Sequence, residues 1–459
     1  MPVGTIDKYN DTAGWWDFSN IVEGDGCLAR LFALFKSADF AHCGLLCTFA
    51  PMKRNILLLC LLLCPLYAAS ANVLRTAKEN IKKRQKLEQT ARELVSEAQK
   101  EGMKHDRQIE CYQLAAECSK LINEAENVRV YLKQSYDTVK FYNSVRDVFL
   151  YIEKADSVSC TPNEKGVIKR NNPERYRSLL LPLRANLLKG GMWFYKKVKL
   201  QTAYDYFDLY IRMAKSAIFL NDNFVTTDPE LPTAAYLAVF IAQMNRNYDG
   251  VIEHASMAKR EGEHAPLIQE FYARAFETRG DTARWVAALE DGFESYPQRH
   301  YFFSRLMDYY TMTRQEEKGL AFCEAAIQGA DSVPLYWYGK ALMLLRLNRD
   351  REAIDACDAS LKLDPNYVNA HYTKGIASLN LAVIYAEQAC TDVTDPRCKR
   401  DMEIVRSLYE LARKPMETVR RLAPADSRRW AAPLYRIYLH LNMEREFEEM
   451  ERILQQDRQ

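Results

Sequence analysis

WYGKALMLLRLNRDREAIDACDASLKLDP, Trp337 to Pro365, decides the fold. Ala341, Leu344 and Leu347 recur at helical spacing in its first half, and Ala353, Cys357 and Ser360 do so in its second. Each set lines one face of a helix. Pro365 ends the second helix, because it lacks an N–H and its ring clashes with the preceding turn. The stretch is therefore a helix hairpin, and the fold depends on whether it stands alone.

It does not. With the residue three before Trp337 as position 1, counting back by 34 places Met307, Tyr310, Gly319, Cys323 and Ala326 at positions 8, 11, 20, 24 and 27. A second step puts Ala273, Phe276, Trp285, Leu289, Gly292 and Pro297 in the same register, and a third does so for Val239, Ala242, Val251, Ala255 and Ala258. Forward, Gly375 takes position 8. Positions 8 and 20 lie where the two helices of a hairpin cross, and position 27 faces the next hairpin, so small residues let the backbones approach. Trp285 breaks that rule at position 20 and predicts a splayed or repacked hairpin. The pattern resembles the tetratricopeptide repeat, whose helix pairs stack into a solenoid.

An earlier unit, GGMWFYKKVKLQTAYDYFDLY, fits through Gly191, Phe194, Ala203 and Phe207. Some 14 extra residues around NDNFVTTDPE separate it from the next repeat, at a loop-closure cost of about 1–2 kcal/mol. A second insertion, with Cys390 and Cys398 flanking TDVTDPR, precedes a helix expected over 401–422. RRWAAPLYRIYLHLNMEREFEEMERILQQ predicts a closing hairpin with a charged outer face. Residues 72–175 predict degenerate helical hairpins ending in a polar loop, TPNEKGVIKRNNPERY. The expected organisation is an N-terminal helical segment over 72–175 and a solenoid over 176–459, with insertions near 217–230 and 385–400. The fold class is all-α, a right-handed tetratricopeptide-repeat superhelix of antiparallel helix hairpins.

Upstream, MKRNILLLCLLLCPLYAASA, Met52 to Ala71, has the order of a secretory signal peptide: Lys53 and Arg54, an apolar core, then Ala69-Ser70-Ala71. Its apolar run is shorter than the roughly 20 residues that span a bilayer. Met52 is the expected translation start, with 1–51 an upstream extension, and the expected compartment is the periplasm. Seven cysteines follow the expected cleavage site, an odd number, so one stays unpaired. Cys111 and Cys118 lie about 10 Å apart along one helix, too far to bridge. Cys323 and Cys357 read as small core residues. Cys390 and Cys398 are the disulfide candidate, worth about 2–3 kcal/mol on the chain-entropy account.

YLKQSYDTVKFYNSVRDVF, YDYFDLYI, the Cys390 loop and WAAPLYRIYLHLN resemble exported tetratricopeptide-repeat proteins of Bacteroidota-type bacteria. That resemblance implies a scaffold for peptides or other proteins. First-helix positions 2, 5, 9, 12 and 13 are the expected groove lining. They include Tyr236, Phe240, Glu270, Arg274, Tyr301, Ser304, Asp308, Tyr338, Leu342, Arg346, Tyr372 and Ile376. An aromatic and apolar strip with scattered charges, as here, suits an extended or helical peptide. The paired Lys and Asn of the family's carboxylate clamp are not matched. A glycan- or nutrient-binding accessory at the outer membrane is the alternative expectation.

Other classes find little support. A net charge of +2, from 63 basic and 61 acidic side chains, gives no electrostatic footprint for nucleic acid. The sequence holds no phosphate-binding Gly-rich loop, nucleophile elbow or paired Cys-x-x-Cys, so no catalytic residue and no cofactor is expected. His254 and His264 lack an evident third ligand, so no metal is expected either. The basic run from Arg75 to Arg92 reads as a solvated helix face in which Glu79 and Glu88 pair with nearby cations.

Overall fold

A computed structural model describes residues 73–170, 173–392 and 394–456. The upstream stretch 1–51 and the expected signal peptide lie outside the described residues. The chain divides into two units, Met1–Met103 and Lys104–Gln459. In the first, helices α1 (residues 73–83) and α2 (Leu87–Ala98) take up the basic run. Asn80 donates to Thr90 Oγ1 at 3.0 Å between them, and Arg75 pairs with Glu79 at 3.7 Å along α1.

The second unit opens with the pair α3 (His105–Tyr131) and α4 (Thr138–Ser159), followed by the short α5 (Pro173–Leu180). Paired helices continue as α6 (Arg184–Lys196) with α7 (Leu200–Ala214) and, after the four-residue α8 (Phe224–Thr227), α9 (Leu231–Met244) with α10 (Tyr248–Ala258). Then come α11 (Ala265–Arg279) with α12 (Thr282–Ser295), α13 (His300–Met312) with α14 (Glu316–Gly329), and α15 (Pro334–Arg346) with α16 (Asp350–Leu363). The last pairs are α17 (Val368–Gln388) with α18 (Pro396–Leu422) and α19 (Ser427–Leu441) with α20 (Glu444–Gln456). No strand occurs among the described residues. From α6 on, each helix packs on its hairpin partner, and each pair packs on the next. The fold is an all-α tetratricopeptide-type stack of helix hairpins.

The register read from the sequence carries that stacking. Val239, Ala273, Ala341 and Gly375 at position 8 are buried, as are Val251, Gly319 and Ala353 at position 20. At position 27, a Cβ built on Gly292 would stand 2.4 Å from the ring of Phe302 in the following hairpin. Cys323 and Cys357 are fully buried in one continuous core between α13 and α17. Trp285 is accommodated by repacking. Its indole turns to the next hairpin, edge-on to Tyr309 at 5.9 Å and beneath the Arg305 guanidinium at 5.5 Å.

A second recurring feature lies at position 15, where the chain turns between helices. Val198, Arg246, Gly280, Arg314 and Asn348 all adopt positive φ, from 54° to 73°. In each case the next residue's N–H reaches back to the position-11 carbonyl: Lys199 to Phe194, Asn247 to Ala242, Asp281 to Phe276, Gln315 to Tyr310 and Arg349 to Leu344. This back-reaching bond satisfies a carbonyl that the ending helix would otherwise leave open. Only Gly280 and Asn348 belong to residue types that favour such a conformation.

Two expected boundaries differ. α18 begins at Pro396 rather than 401, because Asp395 accepts from Arg397 N at 2.8 Å and Pro occupies the first turn. The polar stretch after α4 becomes helical at Pro173, whose fixed φ suits the start of a helix. The insertion before α9 is ordered: a 3-10 helix spans Ala217–Asp222, and Asp222 takes a two-bond contact from Arg177 at 2.6 and 2.8 Å. Beside it, the Arg184 guanidinium is sandwiched between Tyr210 and Phe224 at 4.0 and 4.1 Å and pairs with Asp228 at 2.5 Å. Burial alone would push the Asp228 carboxyl up, but bonds from Tyr210 and Arg184 hold it below the ordinary carboxylate value.

Two outcomes test these local features. Val198 is an exposed β-branched residue in the left-handed region, so Val198→Gly should stabilise the chain by about 1 kcal/mol, read from the urea midpoint. Arg184→Ala should destabilise it by about 3 kcal/mol, because it leaves Asp228 buried without its cation. Asp228 stabilises the native chain above the ordinary carboxylate pKa, and that contribution fades as pH falls through its depressed native value. In Arg184→Ala this acid-linked loss should shrink, since protonation then relieves an unpaired charge; an unchanged pH dependence would contradict the account.

Candidate functional site

The expected lining residues fall on successive first helices, but the structure sorts them into two aromatic ends and a charged middle. At one end, on α9, Tyr236 and Phe240 are half-buried with ring centroids 6.2 Å apart. The Tyr236 ring lies 4.4 Å from His264, whose backbone and ring nitrogens both contact Glu261. Burial, with Tyr195, Glu261 and Glu263 nearby, pushes the Tyr236 hydroxyl up.

In the middle, charged residues of α11 and α13 engage one another. Glu270 takes Arg299 at 2.6 Å, and Arg305 reaches Glu277 and also Asp308, the latter at 3.0 Å. Arg274 is exposed and sits beside Tyr301, whose hydroxyl is pushed up chiefly by burial. The charges scattered through the expected lining gather in this stretch, where Arg274 and Asp308 are exposed. Related bridges run along the stack, Asp249 to Arg279, Glu316 to Arg346 at 3.2 Å and Glu449 to Arg420 at 2.5 Å, each partner 29 or 30 residues from the other. Each such exposed pair contributes about 0.2–1 kcal/mol, so the ladder tunes neighbouring hairpins rather than holding them.

The other end gathers Tyr338, Leu342, Tyr372 and Ile376, all half-buried. Leu342 packs partly against the α13–α17 core, and Tyr372 and Ile376 against the next one. Tyr338 meets Tyr367 edge-to-face at 5.3 Å, and burial pushes its hydroxyl up. Arg429, from α19, lies 4.6 Å above the Tyr372 ring and donates to Asn369 Oδ1 at 3.0 Å. A guanidinium over an aromatic face is worth about 0.5–2 kcal/mol, which holds Arg429 across the faces of α15 and α17. Its field reaches the Tyr338 hydroxyl, as does that of Asp308. Arg429 and Tyr367 are the residues that sequence reasoning missed. Arg429 stands at position 3, outside the expected lining set, and the signal was its place beside Trp430 at position 4. The cluster offers an arginine and phenol hydroxyls beside an apolar floor, a combination suited to a carboxylate next to a hydrophobic anchor.

The remaining candidates resolve as follows. Cys390 and Cys398 are free thiols, so the expected bridge is not formed in this structure. Cys390 Sγ points to the Asp392 carbonyl at 3.7 Å, and Cys398 Sγ to Met402 Sδ at 3.9 Å. Cys111 and Cys118 are also free and buried. His254 is fully buried, with Nε2 3.0 Å from Asp208 Oδ1. Asp208, Glu253 and His254 stand close enough to share an ion, and Asp208 already takes Arg212 at 2.8 Å. Glu261, Glu263 and His264 form a second such group. No helix among the described residues is long and apolar enough to cross a membrane.

No protein-family model and no curated protein matches this sequence. Among solved structures it is similar to the C-terminal part of a TPR repeat-containing protein from Cytophaga hutchinsonii, with TM-score 0.37 and 10% identity over 57% of this chain and 92% of that one. A TPR repeats protein from Bacteroides fragilis gives TM-score 0.29 and 10% identity, covering 59% of this chain and 98% of that one. Human IFIT1 with PPP-AAAA gives TM-score 0.32 and 14% identity, covering 72% and 71%.

Proposed function

We propose that the chain is a non-enzymatic scaffold, exported to the periplasm, that binds a protein or peptide across the first-helix faces of its hairpins. The observation that carries this is the Tyr338, Tyr367, Tyr372 and Arg429 cluster, where side chains from α15, α17 and α19 and the turn before α17 converge and stay half-buried. Its chemistry favours a segment with an apolar anchor beside a carboxylate. The nearly balanced charge favours protein over nucleic acid. Export is supported by the order of charge, apolar run and small residues from Met52 to Ala71.

A photoreactive residue at Tyr338 in producing cells should capture a protein partner, and one at Lys362, exposed on second helix α16, should not. Capture at Lys362 alone would refute the assignment of this face. A glycan array probed with the same protein should stay blank, and binding there that Tyr338→Ala abolishes would favour the accessory reading instead. Mass spectrometry of the mature protein should find Asn72 at its N-terminus; peptides from 1–51 would refute the export reading.

A further inference from the structure

The connection between α3 and α4 exposes more apolar surface than the turns after α6, α9 and α13. Residues 127–137, NVRVYLKQSYD, are eleven consecutive exposed positions, and five of them are large apolar side chains. Tyr131 is 86% exposed, Val128 57% and Leu132 55%, with Val130 and Tyr136 beside them and Val139 just beyond. By comparison, the turns after α6, α9 and α13 expose one large apolar residue each, Val198, Met244 and Met312. α3 keeps its helical form to Tyr131 although its last five residues have no covering surface.

The carboxylates around this tip are engaged within the hairpin. Arg129, Lys133 and Lys140 are its cations. Of the acidic groups, Glu126 is buried and takes Arg129 at 3.2 Å, while Asp137 accepts from Lys140 N at 2.9 Å as the cap of α4. Both carboxylates are thus engaged within the hairpin, and Lys133 stands exposed between Leu132 and Tyr136.

We propose that this tip is a membrane-contact element, with Tyr131, Leu132 and Val128 entering the outer acyl region of an anionic lipid leaflet while Lys133 meets the headgroup phosphates. A convex, continuously exposed apolar run suits a deformable lipid surface better than a rigid protein pocket. Tyrosines at its margins suit the interface, where one end of the ring is apolar and the other wet. Cations near an anionic surface each add about 1 kcal/mol, an attraction that salt screens. This inference is independent of the peptide-binding reading, since the tip lies outside the face formed by α9 to α19.

The test is co-sedimentation of the full chain with vesicles of phosphatidylcholine, with and without phosphatidylglycerol. Residues 56–66 of an uncleaved chain would add a background common to all variants, so the readout is the ratio to wild type. Tyr131→Ser/Leu132→Ser should lower partitioning onto phosphatidylglycerol vesicles by about tenfold or more. Lys133→Glu should lower it at low salt only, with helical circular dichroism unchanged in both variants. A benzoylphenylalanine at Tyr131 should form adducts with lipid. Equal partitioning of the variants and wild type, or adducts only with protein, would overturn the proposal.

Discussion

The close approach of helix backbones at small residues is the constraint on which this structure depends. Where Gly292 meets Phe302, and where Gly339 meets Phe303 and Cys323, no room remains for a β-carbon without displacing a ring. Such contacts fix both the distance between hairpins and their register, since a helix shifted by one residue would bring a large side chain to the crossing. Dispersion and apolar burial then act across the whole length of each helix pair. Because each hairpin touches mainly its neighbours, the stability of the stack is a sum of local and nearest-neighbour contributions.

That constraint also produces the candidate surface. If every hairpin crosses its neighbour in the same way, equivalent positions of the first helices fall side by side. Whatever residues occupy positions 5 and 9 then form a row, whether or not they act together. In this chain the row is chemically divided. Charges on α11 and α13 are consumed by pairs such as Glu270–Arg299 and Arg305–Asp308, while the aromatics of α15 and α17 keep part of their surface and gain Arg429 from α19. A ligand spanning the middle would have to break ion pairs worth little individually, and one at the aromatic end meets a guanidinium held over Tyr372, with Asp426 3.8 Å from it.

The repeat itself was legible because its signal is steric and periodic: Ala273, Ala341 and Gly375 share one position, and Gly292, Ala326 and Ser360 share another, 34 residues apart. The left-handed residue at position 15 was not legible, because Val198, Arg246 and Arg314 have no preference for that conformation and adopt it only through the back-reaching bond of the turn. The candidate face was half legible. Register placed Tyr338 and Tyr372 on first helices, but which charges neutralise one another depends on side-chain reach between hairpins, and so the ionic middle and Arg429 stayed hidden. Two boundaries moved for local reasons, since Pro at a helix start reads in sequence as a breaker. The burial of His254 was hidden because its partner Asp208 is 46 residues away in the chain.

Removing one whole repeat tests the central claim most directly. Deletion of residues 334–367, one full period, joins the end of α14 to the start of α17 in register; deletion of only residues 350–366 removes the second helix and breaks it. The account predicts that the first variant keeps its helical circular dichroism per residue and a cooperative urea transition at a lower midpoint, while the second loses cooperativity. Equal collapse of both, or equal tolerance of both, would contradict it.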